Sequence, residues 1–217
     1  MLAVFTAAST TPALIETTTG TETVLKFSGA GPGPFGLLVE LLALKLAAAL
    51  GAPAPAARPL WLPAGMPWTV GTDEFDGMLL RSTGWNLGIA LIPGARPATP
   101  EDIAAADPAT LDAIARADAL LQNMDRTAQN PNLLIADGQL HAIDYDACLY
   151  LSRALAGRPR SMTLPAGHLL AGRPLPPTPL PAIDATALAA LAPDDWLDCA
   201  STTRDGLAAA LAAWLAP

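Results

Sequence analysis

The chain opens on short apolar runs and then changes period. Leu2–Thr6, Ala13–Thr17 and Thr23–Phe27 are runs of strand-forming residues, with Gly20 at a turn, and they predict a three-stranded β-meander. Alternation along the third run puts Lys26 on the face opposite Leu25 and Phe27. From Phe35 to Leu50 the chain is apolar nearly all round, with Gly51 at the C-cap position and Pro53 beyond it, which predicts a buried helix. Glu40 in that helix needs a partner, because an unpaired buried carboxylate is costly. Lys45 is about 140° away around the helix, whereas Lys26 on the preceding strand can reach it.

Between strand and helix, Ser28-Gly29-Ala30-Gly31-Pro32-Gly33-Pro34 is a loop whose glycines, Gly29, Gly31 and Gly33, permit positive φ and a close backbone approach to an anion. It reads equally well as a plain loop before a helix. Pro53–Pro67 is extended and Pro-rich, with Leu60-Trp61-Leu62 as a candidate strand, and Phe75–Ile92 returns to β character through Met78-Leu79-Leu80 and Leu87–Ile92. Thr99-Pro100-Glu101-Asp102 and Asp107-Pro108 are two helix starts, the second leading to a helix through about Gln122. Leu133–Ala136 and Leu140–Asp144, joined at Asp137-Gly138, predict a hairpin. Helices are predicted over Ala147–Ala156, Asp184–Leu191 and Asp205–Leu215, with irregular Pro-rich chain over 158–182.

Composition narrows the class. With 217 residues, 52% of them hydrophobic and only 15% charged, the chain can bury a sizeable core. A net charge of −8 argues against a nucleic-acid surface, so a site for ATP has to be locally basic. Two cysteines, Cys148 and Cys199, and two histidines, His141 and His168, do not make a zinc or disulfide framework. No apolar stretch has the roughly 20 residues of a membrane span, and the first residues do not read as a signal peptide, so a cytoplasmic location without membrane attachment is expected.

The polar run 123–132 carries the chemistry. Asn123-Met124-Asp125-Arg126-Thr127-Ala128-Gln129-Asn130-Pro131-Asn132 gathers an acid, an Arg and amides around a Pro, and a second acid, Asp144, follows the hairpin. Such spacing suits phosphoryl transfer: a loop Asp orients or deprotonates a hydroxyl, while Asn130 and Asp144 supply hard oxygen ligands for magnesium on nucleotide phosphates.

The pattern Asn123-x-Asp125-Arg126-Thr127-x-x-Asn130-Pro131-Asn132-Leu133-Leu134, followed by Ile143-Asp144, resembles the catalytic and metal segments of the HipA-like kinases, relatives of the phosphoinositide-kinase-like atypical kinases. Arg81-Ser82-x-Gly84-x-Asn86-Leu87-Gly88 and Ile92-Pro93-Gly94-Ala95 are similar to the same family. The resemblance implies an α+β, two-lobed protein-kinase-like fold. Residues 1–92 would form an N-lobe of antiparallel sheet with one main helix, and residues 93–217 a mostly helical C-lobe carrying the catalytic loop 123–132 and the metal-binding hairpin 133–146, with a hinge at Ala90–Gly94. It implies that Lys26 binds phosphate, Glu40 anchors Lys26, Asp125 is the catalytic acid–base group, and Asn130 and Asp144 bind Mg²⁺. ATP would be the cofactor, and the acceptor a hydroxyl on a protein or small molecule. A pseudokinase, holding nucleotide or a partner without transfer, is the alternative. Where the family usually shows an aromatic or His and then Gly after Ile-Asp, this chain has Tyr145-Asp146, which adds a negative charge near the metal.

Overall fold

A computed structural model describes residues 1–6, 10–175 and 178–216. Five strands, β1 (Ala3–Val4), β2 (Ala13–Glu16), β3 (Glu22–Lys26), β4 (Ala57–Leu62) and β5 (Gly84–Ala90), form an antiparallel sheet in the order β1-β2-β3-β5-β4. The predicted meander is therefore present, though its first strand is only two residues long. Its faces alternate as the sequence requires. Leu25 and Phe27 enter a small core with Phe75, Met78 and Leu79, and Lys26 faces the other way, toward the helix α1 (Gly33–Ala49).

α1 is buried along most of its length and is the spine of the main core. Leu38, Leu41, Leu42 and Leu46 pack there with Ile114 and Leu120 of α4 (Pro108–Leu121), Trp196 of α7 (Asp194–Cys199), and Leu207 and Leu211 of α8 (Arg204–Leu215). Buried polar tips fix these neighbours: Tyr150 Oη donates to Val39 O at 3.0 Å, Trp214 Nε1 to Leu120 O at 3.3 Å, and Trp196 Nε1 to Trp85 O at 3.3 Å. A second, three-stranded antiparallel sheet has the order β6 (Arg96–Pro97), β7 (Leu133–Ala136), β8 (Gln139–Ala142). Its hairpin turns at Asp137 (φ 49°) and Gly138 (φ 76°), the left-handed pair that a two-residue loop demands. Among the described residues, no helix is long and apolar enough to cross a membrane.

Several elements differ from the sequence expectation. Met78-Leu79-Leu80 is not strand but the end of α2 (Asp73–Arg81), a second helix packed on the first sheet. Thr72 caps it by accepting from Phe75 N, acids fill its first turn and Arg81 its last, so capping and dipole outweigh the strand propensity of a short apolar run. The helix predicted over Ala147–Ala156 is only Tyr150–Leu155 (α5), and that over Asp184–Leu191 is Ala185–Ala189 (α6). α3 (Pro100–Ala105) has the predicted start, with a full capping box between Thr99 and Asp102. β6 and α7 have no counterpart in the sequence reading. The Pro-rich chain of 158–182 is irregular where described; Pro176 and Pro177 of that expectation lie outside the described residues.

Candidate active site

Lys26, the last residue of β3, is the centre of the site. Its Nζ lies 2.5 Å from Glu40 Oε2, 2.5 Å from Asp144 Oδ1 and 3.9 Å from Asp146 Oδ2. The Lys26–Glu40 pairing expected from the sequence is thus present, and the hairpin brings Asp144 to the same ammonium. β8 is moored for this purpose: Ala142 N donates to Pro53 O, just beyond α1, and Ile143 N donates to Asn132 O. Asp144 then takes a left-handed φ of 60°, which costs a non-glycine residue energy and recurs at functional sites.

One ammonium does not balance these acids. Burial would lower the Lys26 pKa, but Glu40, Asp144 and Asp146 outweigh it and hold the ammonium charged. Burial pushes Glu40 up from the ordinary carboxylate range, and the pull of Lys26 does not restore it. Asp146 is also raised, first by burial and then by Asp144 and Asp125, against Lys26. The charge at this centre is therefore acidic rather than basic. The donor set fits a hard divalent ion: Glu40, Asp144 and Asp146 each offer a carboxylate oxygen, and these lie within 4.8 Å of one another.

Asp125 stands on a loop locked from both sides. Its backbone N–H donates to Asn123 Oδ1 (3.1 Å), while its Oδ2 accepts from Asn130 Nδ2 (2.7 Å) and Asn132 Nδ2 (3.0 Å). Asn130 spends its amide N–H₂ on Asp125, so its Oδ1, which accepts no bond among the described residues, remains available to a metal. The next residue, Arg126, points inward and is fully buried. Its guanidinium donates to Asp118 Oδ2 (2.7 Å), Pro131 O (3.0 Å) and Asn132 O (2.5 Å), and lies 5.0 Å from the Tyr145 ring centre.

Asp118, on α4, is the anchor that sequence reasoning missed. Besides Arg126 it accepts from Asn123 Nδ2 and His168 Nε2, each at 3.0 Å. His168 Nδ1 accepts the Leu170 N–H, so Nε2 carries the proton and the neutral ring serves as donor. Burial alone would raise Asp118; the Arg126 charge and these hydrogen bonds reverse that and hold it below the ordinary carboxylate range. A signal existed in the sequence: an acid between Ala117 and Ala119-Leu120-Leu121, on a stripe that could only be buried.

The glycine loop is spent mainly on structure. Ser28 N donates to Asn86 Oδ1 (2.8 Å), Gly29 N to Ser82 Oγ (2.9 Å), Ala30 N to Phe27 O and Gly33 N to Ala30 O. Asn86, fully buried, also donates to Ser82 O and Gly84 O, which gives the Ser82-x-Gly84-x-Asn86 motif its physical role. A side chain on Gly29 would strike Met78 O at 2.6 Å, so this glycine is required by packing against α2. Gly31 and Gly33 have positive φ. Two cavities, of about 760 and 420 Å³, border the loop, and neither is lined by Lys26, Glu40, Asp125, Asn130 or Asp144. Of the cluster's acids, Asp144 and Asp146 open to solvent, with side chains 36% and 20% exposed, while Glu40 is buried. Compared with protein-family models and with curated proteins, the sequence matches none.

Proposed function

We propose that the chain is an ATP-dependent phosphotransferase of the HipA-like kinase type, which moves the γ-phosphate to a hydroxyl of a protein or small molecule. The observation that carries this reading is the meeting of Lys26 from β3, Glu40 from α1 and Asp144 from behind the hairpin at one ammonium, both acids at 2.5 Å. In this reading, residues 1–92 and 93–217 are the two lobes of a kinase-like arrangement, with α1 embedded in the core of the second. Lys26, held by Glu40, turns to the nucleotide phosphates when they arrive. Asp144 and Asn130 would hold Mg²⁺, which would supply positive charge to offset that of the phosphates. Asp125, fixed by Asn130 and Asn132, orients the acceptor hydroxyl and takes its proton as the bond to phosphorus forms.

The pseudokinase reading draws support from Asp146, which puts an additional acid 3.9 Å from Lys26. Transfer of labelled γ-phosphate from Mg-ATP, tested on the chain itself, on lysate proteins and on small hydroxyl compounds, separates the two. Turnover abolished by Lys26→Met supports the enzyme. Wild type that binds Mg-ATP and transfers nothing to any of these acceptors is a pseudokinase.

A further inference from the structure

The acids around Lys26 leave more oxygen than one ammonium can use. Glu40 is fully buried, yet its Oε1 has no hydrogen-bond partner. Asp144 Oδ2 and both Asp146 oxygens accept no hydrogen bond among the described residues either, because Asp146 approaches Lys26 only to 3.9 Å. Three carboxylates around one ammonium leave a formal charge of −2, and the three acids present oxygens within 4.8 Å of one another. An octahedral ion with bonds of about 2.0–2.1 Å spans roughly 4 Å between opposite ligands. Small side-chain rotations at the half-open Asp144 and Asp146 would close that difference.

We propose that Asp146 makes this centre a divalent-cation site that fills without nucleotide, with Asp144 and Asp146 as the principal ligands and Glu40 Oε1, the buried oxygen with no donor, as the third. This deepens the kinase reading, on which it rests only in sharing Asp144 with the metal of the nucleotide. A metal held by one aspartate and an amide waits for phosphate oxygens to complete its shell. A second carboxylate two residues on supplies both charge and a ligand, so the ion no longer depends on ATP. Lys26 keeps Glu40 Oε2 and yields Asp144 to the ion. The ion, alongside the lysine, then presents the positive charge that the acidic site lacks. The ligand class is Mg²⁺ or Mn²⁺, hard ions that take all-oxygen shells.

The test is titration of the full chain with Mn²⁺ in nucleotide-free buffer, read by loss of the free-ion paramagnetic resonance signal, with a thermal melt run on the same samples. Wild type is expected to bind one ion and to melt at a higher temperature with it, since a ligand of the native state alone stabilises that state. Asp146→Asn keeps the shape and removes the charge, and Asp146→Gly restores the residue that the family pattern has. Each should weaken the nucleotide-free affinity tenfold or more while remaining folded in the metal-free melt. Wild type that binds no Mn²⁺ at millimolar concentration overturns the inference, as do folded Asp146 variants that bind as tightly as wild type. The kinase reading fails on a different result, absence of Mg-ATP binding or of transfer, whatever the nucleotide-free titration gives.

Discussion

Asp125 is held by neighbours that its own loop supplies, so removing its carboxylate leaves the rest of the loop anchored through Arg126 and Asp118. On the proposed kinase reading, its work is confined to the hydroxyl that attacks. Asp125→Ala is therefore expected to lower turnover by about 10²–10⁴, the usual span for a general acid–base group, with Mg-ATP affinity nearly unchanged. Single-turnover transfer beside calorimetric ATP binding checks this, and a parallel loss of affinity would move Asp125 into the nucleotide's own shell. At this scale the sequence was legible where residue type alone limits the role. A lysine alternating away from Leu25 and Phe27, and a glutamate in an all-apolar helix, have few partners but each other. Asp146 could be read as an extra charge, but not as a residue 3.9 Å from Lys26, because that distance depends on the turn Asp144 takes at φ 60°.

The glycine loop shows how an element can carry two meanings in sequence. Anion cradle and plain connector both call for glycine, and the approach of Gly29 to the end of α2 gives that glycine a packing reason of its own. A methyl at Gly29 meets backbone, which cannot move aside as a flexible side chain can. Gly29→Ala should cost about 1–3 kcal/mol of stability, as overpacked sites do, while the folded fraction keeps its Mg-ATP affinity. Urea denaturation with parallel binding measurements decides it; a variant as stable as wild type with weaker ATP binding would return Gly29 to the cradle. α2 itself was misread because Met78-Leu79-Leu80 is too short for its period to be told. Thr72 and the three acids after it were the better guide.

Across the whole molecule, Asp118 joins α4, the loop 123–132 and the Pro-rich chain at His168 through one buried carboxylate. Its folded pKa lies below the ordinary 3.8, so the stability it contributes is fully present above about that pH and is lost as pH falls through the folded value. Asp118→Asn leaves Arg126 buried without its counter-ion and should cost about 3–5 kcal/mol near neutral pH, with the wild-type advantage shrinking below pH 3.8. Denaturation curves between pH 7 and 3 measure both. An advantage that stays level through this range would mean the carboxylate's charge is not what holds the loop. The sequence by itself determined the local elements whose signals are local: the meander, the buried helix α1, the capped starts of α3 and α4, the Asp137-Gly138 hairpin, and the pairing of Lys26 with Glu40. Tertiary structure decided that Asp144 and Asp146 converge on that pair, that Asp118 and His168 lock the loop from distant segments, and that β6 and α7 form at all. The physical reason is that alternation, capping and turn chemistry act within a few residues. Convergence of charges depends on how α1, the hairpin and the Pro-rich chain pack, which no single segment encodes.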